Sequence, residues 1–120
     1  MSQQRDLSDY VLDLSSTLLD AAQTIEQNHS RCAIVVTGEK VVGIITEGDL
    51  LRGLLQGSTI YADIKNFVRH DFKFLKNRDE AEALDLFKTH GFTLVPVLDE
   101  DFRLIDVIPI SDILEKVRLA

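Results

Sequence analysis

The chain is short of cysteine, of basic side chains and of long apolar runs. Its 120 residues hold one cysteine, Cys32, so no internal disulfide forms. That excludes a disulfide-stapled secreted scaffold and makes a reducing cytoplasm the expected compartment. Only 13 bases stand against 20 acids, a net charge of −7. A nucleic-acid partner would need a basic footprint that this balance lacks. An anionic membrane surface is disfavoured for the same reason. No apolar run reaches the ~18 residues of a membrane span. The first ten residues, "MSQQRDLSDY", lack the apolar core of a signal peptide. Neither G-x-x-x-x-G-K-[ST] nor G-x-G-x-x-G occurs, which removes the P-loop and dinucleotide-binding readings. His29, His70 and His90 have no metal-ligand spacing, and no metal is expected. His29 precedes Cys32 by three residues, but a cysteine that opens an apolar strand packs as a small hydrophobe. No third group orients a nucleophile–base pair. The chain is therefore read as a non-enzyme with no catalytic residue.

What is present is ordinary globular material, 45% hydrophobic and 28% charged, of a length that suits one compact domain. The acidic excess is spread over both halves, with 8 acids and 4 bases in 1–60 and 12 acids and 9 bases in 61–120. Residues 10–12 read as a short strand. In "TLLDAAQTIEQNH", Leu18, Ala21, Ala22 and Ile25 have helical spacing, and Thr17 with Asp20 has the spacing of a capping box. "CAIVV" and "VVGII" are β-branched strands joined by the tight turn "TGEK". "EGDLLRGLLQG" is a helix that stops near Gly57. After a linker with a short helix, the order returns. "FKFL" (72–75) reads as a strand. "NRDEAEALDLFKTHG" reads as a helix with the box Asn77-x-x-Glu80 and a stop at Gly91. "TLVPVL" and "RLIDVIP" follow as strands, and "ISDILEKVRL" as a last helix. Phe72, Phe74, Phe87 and Phe92 are expected in the core.

This is an α+β chain with an internal repeat, β-α-β-β-α twice over. Ala33–Val36 aligns with Leu94–Val97, and Gly43–Asp49 with Asp106–Asp112. The boundaries expected are 8–58, a linker at 59–71, and 72–119. A 60-residue unit buries too little surface alone. Two units would press their sheets together about a pseudo-twofold axis and leave a cleft suited to a small ligand. Thr46-x-x-Asp49 stands at the strand-to-helix turn of the first unit. The pair is either a capping box or part of a ligand site, and the two roles are compatible. A carboxylate takes two hydroxyl protons from a vicinal diol, and free N–H groups at a helix start bind anions. Arg52, one turn after Asp49, is either a solvated side chain or a phosphate clamp. Leu50, Leu54, Ile113 and Val117 read as exposed apolar helix positions that pairing of two modules would cover.

The h-P-V strand at Val95-Pro96-Val97 and the G-h-h-T-x-x-D turn at Gly43–Asp49, set in this doubled order, resemble a tandem CBS (cystathionine β-synthase) domain pair over residues 8–118. The resemblance implies a regulatory module that requires no cofactor and binds an adenosine-containing ligand (AMP, ADP, ATP or S-adenosylmethionine) between the repeats. It implies a homodimer as well. It assigns ribose to Asp49 and phosphate to Thr46. The base falls near Leu94 and Pro96, with Phe72 and Lys73 close by. A second, weaker site would be built on Asp112 and the 33–36 strand. There Asp106 replaces the glycine, Pro109 the threonine and Glu115 the arginine, so one competent site is expected. A narrower likeness, "GIITEGDLLRGLLQG", is to the CBS repeat in front of some bacterial sugar-phosphate nucleotidyltransferases. It implies a catalytic partner domain of that kind. The rival reading is a structural dimerisation module with non-binding sites.

Overall fold

The computed structural model describes residues 5–119, with side chains to residue 116. Two copies of one unit follow each other. The first runs β1 (Val11–Asp13), α1 (Leu18–Asn28), β2 (Cys32–Thr37), β3 (Lys40–Thr46) and α2 (Glu47–Leu55). The second runs α3 (Glu80–His90), β4 (Leu94–Leu98), β5 (Leu104–Pro109) and α4 (Ile110–Leu119). A single 3-10 turn at Ile64–Asn66 marks the connection. β1 lies parallel to β2, and β2 pairs antiparallel with β3. β4 and β5 form the matching antiparallel pair. The ladder slips by a bulge after Val35 in one repeat and after Val97 in the other, so even the irregularity is repeated. The chain is a mixed α+β fold of two related repeats, as the doubled pattern predicts.

Four expectations need correction. The segment 72–75 is not a strand, because only Leu75 bridges β4, opposite Val97. Leu75 N–H donates to Pro96 O and Leu98 N–H to Leu75 O. The next rung of a parallel ladder would need an N–H that Pro96 does not have. Leu12 opposes Val35 as Leu75 opposes Val97, so Cys32–Val35, and not Ala33–Val36, matches Leu94–Val97; Ile34 occupies the place of Pro96 in the first repeat, and β1 extends over three residues. The cap of α3 is Asp79, which accepts from Glu82 N–H at 3.1 Å, and not Asn77. Glu80 is instead drawn into ion pairs with Arg78 and Lys116. Finally, Leu50 and Ile113 are buried against their own repeats. Leu51, Leu54 and Leu55 are the leucines that α2 exposes. The Val117 side chain lies outside the described residues.

Burial follows the strand period of two. Ala33 and Val35 of β2 face α1 and α2, where they meet Leu18, Ala21, Ile25 and Leu50. Val95 and Val97 of β4 face their own helices, beside Phe87, Ile108 and Ile113. The alternate residues, Cys32 and Ile34 on one sheet and Leu94 and Leu98 on the other, meet in a third cluster with Val41 and Val107. Phe87 is buried, while Phe72, Phe74 and Phe92 are half-buried around these clusters. With both faces covered, the central strands read as nearly unbroken apolar runs.

The connection between repeats crosses β3 as a strap. Ile44 N–H donates to Arg69 O at 2.9 Å, and Arg69 N–H to Ile44 O at 2.8 Å. Gly43 makes the crossing possible, since a Cβ there would lie 2.5 Å from both Arg69 O and Val68 Cγ1. Gly43→Ala is expected to cost about 1–3 kcal/mol, the usual range for overpacking against a fixed neighbour. Urea unfolding of the variant measures this, and an unchanged midpoint would mean that the strap yields freely.

Candidate functional site

The β2–β3 register sets Cys32 opposite Thr46, and the β4–β5 register sets Leu94 opposite Pro109. Each strand pair is closed at this end by the same bond. Glu47 N–H donates to Arg31 O at 2.8 Å in the first repeat, and Ile110 N–H to Thr93 O at 2.9 Å in the second. The two ends meet where Thr93 Oγ1 donates to Ser30 O at 2.5 Å. A cleft opens near this contact on each side. One, about 290 Å³, lies between Thr46, Glu47 and Gly48 of the first repeat and Phe92 and Leu94 of the second. The other, about 300 Å³, lies between His29 and Ser30 and the Pro109–Ser111 turn. Both are at the lower edge of the range for small-molecule sites. Arg31 and Thr93 belong to both.

Thr46 caps α2 because its backbone is still extended while Glu47 begins the helix. Its Oγ1 accepts from Asp49 N–H at 3.1 Å, and Asp49 Oδ2 accepts from Thr46 N–H at 2.9 Å, a complete capping box. Asp49 is buried, with only 8% of its side chain exposed. Its charge is met by two guanidiniums. Arg52 pairs with Oδ1, and Arg69 Nε donates to both oxygens at 3.1 Å. Burial works to raise the Asp49 pKa, but the Arg69 hydrogen bonds and the two Thr46 bonds together outweigh it. The carboxyl is held below its ordinary value.

Among the residues singled out in the sequence, Thr46 and Leu94 line one cleft together. Asp49 sits behind it, turned into the capping box and the two arginines. Arg52 lies along the first turn beside Gly48, paired with Asp49 rather than free. Pro96 is buried within β4, Phe72 packs beside Phe74, and Lys73 is exposed. None of these three lines the cleft. Asp112 is not an open acidic site. It accepts from Arg5 Nη2 at 2.8 Å and Arg78 Nη2 at 2.6 Å, and Arg78 also bonds Asp106 at 3.0 Å. Arginines thus compensate both the motif aspartate Asp112 and Asp106, the acid that stands in place of the first repeat's glycine. Arg5, Arg69 and Arg78 were not singled out in the sequence, because each acts on a residue far along the chain. Gly43 was the available signal for Arg69, since an interior strand glycine marks a close backbone approach. Burial pushes the Cys32 thiol up to about 12, only partly offset by Thr93, so it stays protonated at neutral pH.

Asp49→Asn is expected to lower stability by about 1–2 kcal/mol at pH 7, through the weakened cap and lost pairing. A carboxyl whose folded pKa is depressed contributes above its unfolded value and loses that contribution as pH falls through the folded one. The gap between variant and wild type should therefore narrow as pH drops below about 4. Urea midpoints between pH 3 and 7 test this, and a gap independent of pH would refute it.

Comparison with known proteins bears on both repeats. The CBS domain family model matches residues 5–56 and again 65–119. An uncharacterised protein of Helicobacter pylori strain J99 is 28% identical over 104 residues, covering 84% of this chain and 32% of its own. An uncharacterised 17.7 kDa protein of Acidianus ambivalens is 26% identical over 106 residues, covering 87% and 64%. The chain thus spans about a third of the first relative and under two thirds of the second. Among solved structures, a CBS domain protein from Pyrobaculum aerophilum complexed with AMP superposes with a TM-score of 0.74 at 19% identity, over 92% of this chain and 91% of that one. A CBS domain pair/ACT domain protein from Thermotoga maritima gives 0.72 at 24%, over 91% and 88%. The cytosolic domain of the Mg2+ channel MgtE in complex with ATP gives 0.71 at 17%, over 90% and 45%. These likenesses show a shared fold, and with the family model matched over both repeats, the chain belongs to the CBS domain family as a tandem pair.

Proposed function

We propose that the chain is a regulatory module that binds an adenine nucleotide of the AMP, ADP or ATP class in the cleft between Thr46 and Leu94. The observation that carries this is the position of the complete G-h-h-T-x-x-D turn at a cleft whose far wall belongs to the other repeat. Thr46 Oγ1 accepts from Asp49 N–H and keeps its own O–H as a donor for phosphate. The positive end of the α2 dipole favours the same charge. Leu94 and Phe92 offer apolar surface for a base. Asp49 lies one step behind, where its carboxylate would take the ribose hydroxyls. Arg52 stands beside Gly48 as a counter-charge for phosphate. The Pyrobaculum and MgtE structures, described with AMP and with ATP, support the ligand class.

The regulatory part of the reading is that ligand favours one of two arrangements and so shifts an attached domain. The Helicobacter relative, about three times the length matched, is consistent with a further domain. A nucleotidyltransferase is the candidate that the "TEGDLLRGLL" string favours, in a cytoplasmic protein. A second reading is a module that only dimerises. It has its own observation: Leu51, Leu54 and Leu55 at the end of α2 are 60%, 43% and 80% exposed.

Thermal unfolding with AMP, ADP, ATP and S-adenosylmethionine separates the two. Ligand at about 100 times its dissociation constant adds ~2.7 kcal/mol, several degrees for a domain of this size. The expected result is a shift for at least one adenine nucleotide that vanishes in Asp49→Ala. No shift at millimolar concentration would leave the dimerisation reading. On that second reading, Leu51→Glu with Leu55→Glu should convert a dimer to a monomer in sedimentation equilibrium, and a dimer that survives would reject it.

A further inference from the structure

Both motif aspartates are enclosed in the same way. Asp49 is held by Arg69 from the strap and by Arg52 from its own helix. Asp112 is held by Arg5, from the segment before β1, and by Arg78, from the segment before α3. Arg69 crosses β3 at Ile44, and Arg5 Nη1 donates to Val107 O of β5 at 3.0 Å. Ile44 and Val107 are equivalent positions of the two repeats. The enclosure is therefore a built feature of the doubled fold and not a chance surface pairing.

The lone pairs of Asp49 are accounted for. Oδ1 accepts from Arg52 and Arg69, and Oδ2 from Thr46 N–H and Arg69. A carboxylate offers about four acceptor positions. A diol therefore reaches Asp49 only by displacing a donor. Thr46 N–H is fixed by the helix start. Arg52 and Arg69 are both half-exposed, at 55% and 51%, but only Arg69 reaches both oxygens, so its departure frees the pair that a diol needs, and its backbone is held separately at Ile44. The second enclosure is braced. Arg78 bonds Glu80, Asp106 and Val107 O as well as Asp112, with bonds of 2.6–3.2 Å.

We propose that Arg69 is a built-in competitor for the ligand: its guanidinium occupies the acceptor positions of Asp49 that the ribose hydroxyls need, so binding at the first cleft expels it and breaks the ion pair between the strap and α2. The braced Arg78 keeps Asp112 closed, which makes the first site the responsive one. This rests on the nucleotide reading above and adds how the site reports its state. With Arg69 gone from Asp49, the strap keeps its backbone bonds to Ile44, the His70 contact to Val42 O and the packing of Phe67 on Gly53, and loses its ion pair to the helix that carries the motif.

Calorimetric titration of the full chain with adenosine tests this, since adenosine has ribose hydroxyls and no phosphate to attract the arginine. Arg69→Gln removes the charged fork and keeps the backbone bridge. It should bind adenosine roughly tenfold tighter than wild type, the worth of one displaced charged hydrogen bond. Equal or weaker binding by a folded Arg69→Gln chain overturns the proposal. If that variant does not fold, wild type alone decides. The Arg69 Nε–H resonance should lose its hydrogen-bonded shift at adenosine saturation, and an unmoved resonance overturns the proposal. Absence of binding by both chains, to adenosine and to AMP alike, would reject the nucleotide reading itself and the competitor with it.

Discussion

Ile34, Val41, Leu94, Leu98 and Val107 close against one another between the two sheets, and the clefts exist because of that seam. Each repeat has helices for only one face of its sheet. The other face carries β-branched and leucine side chains that water would otherwise meet, at roughly 25 cal/mol per Å² of apolar area. Pairing the repeats covers both faces at once. It also brings the ends of β2 and β4 together at the Thr93–Ser30 contact, with a motif turn at each cleft beside it. The geometry of the clefts is thus a consequence of how two incomplete cores complete each other.

Asp49 shows how much work one carboxylate does at such a turn. It completes the cap of α2, anchors the strap through Arg69 and neutralises Arg52. A buried charge without partners would be costly, and the pairing is what allows Asp49 to remain ionised behind the cleft. The same residue is the one that the family resemblance assigns to ribose. On the proposed nucleotide reading, a cap that is stable without ligand and an acceptor that is needed with ligand are compatible only if one of its donors is replaceable. The half-exposed Arg69 and Arg52 side chains meet that condition better than the braced Arg78 of the second repeat.

Much of the fold was legible from local pattern. The helical spacing of Leu18, Ala21 and Ile25, the Thr17 and Thr46 boxes, the Gly91 stop and the β2 and β3 runs all appear where their residues place them. These features depend on neighbours within a few positions. The misread elements depended on something further away. Whether 72–75 could be a strand was decided by a missing N–H on Pro96. Whether Leu50 and Ile113 were exposed was decided by how far each helix rolls onto its own sheet. At the site, Thr46, Leu94 and Arg52 were legible, while Arg5, Arg69 and Arg78 were not. The partners of Asp49 and Asp112 lie 20, 34 and 107 positions away.

Alone, the sequence determined the doubled α+β unit, the capped turn at Thr46 and Asp49, and the family. Each is set by short-range periodicity, by a side chain capping its own helix, or by a motif that recurs at a fixed interval. Tertiary structure alone decided which side chains share a cleft and which charges cancel. It alone turned Asp49 from a free acceptor into one already occupied. The physical reason is that ion pairing and burial depend on distance in space, and a strap that folds back across β3 brings Arg69 to Asp49 without leaving any periodic trace in the chain.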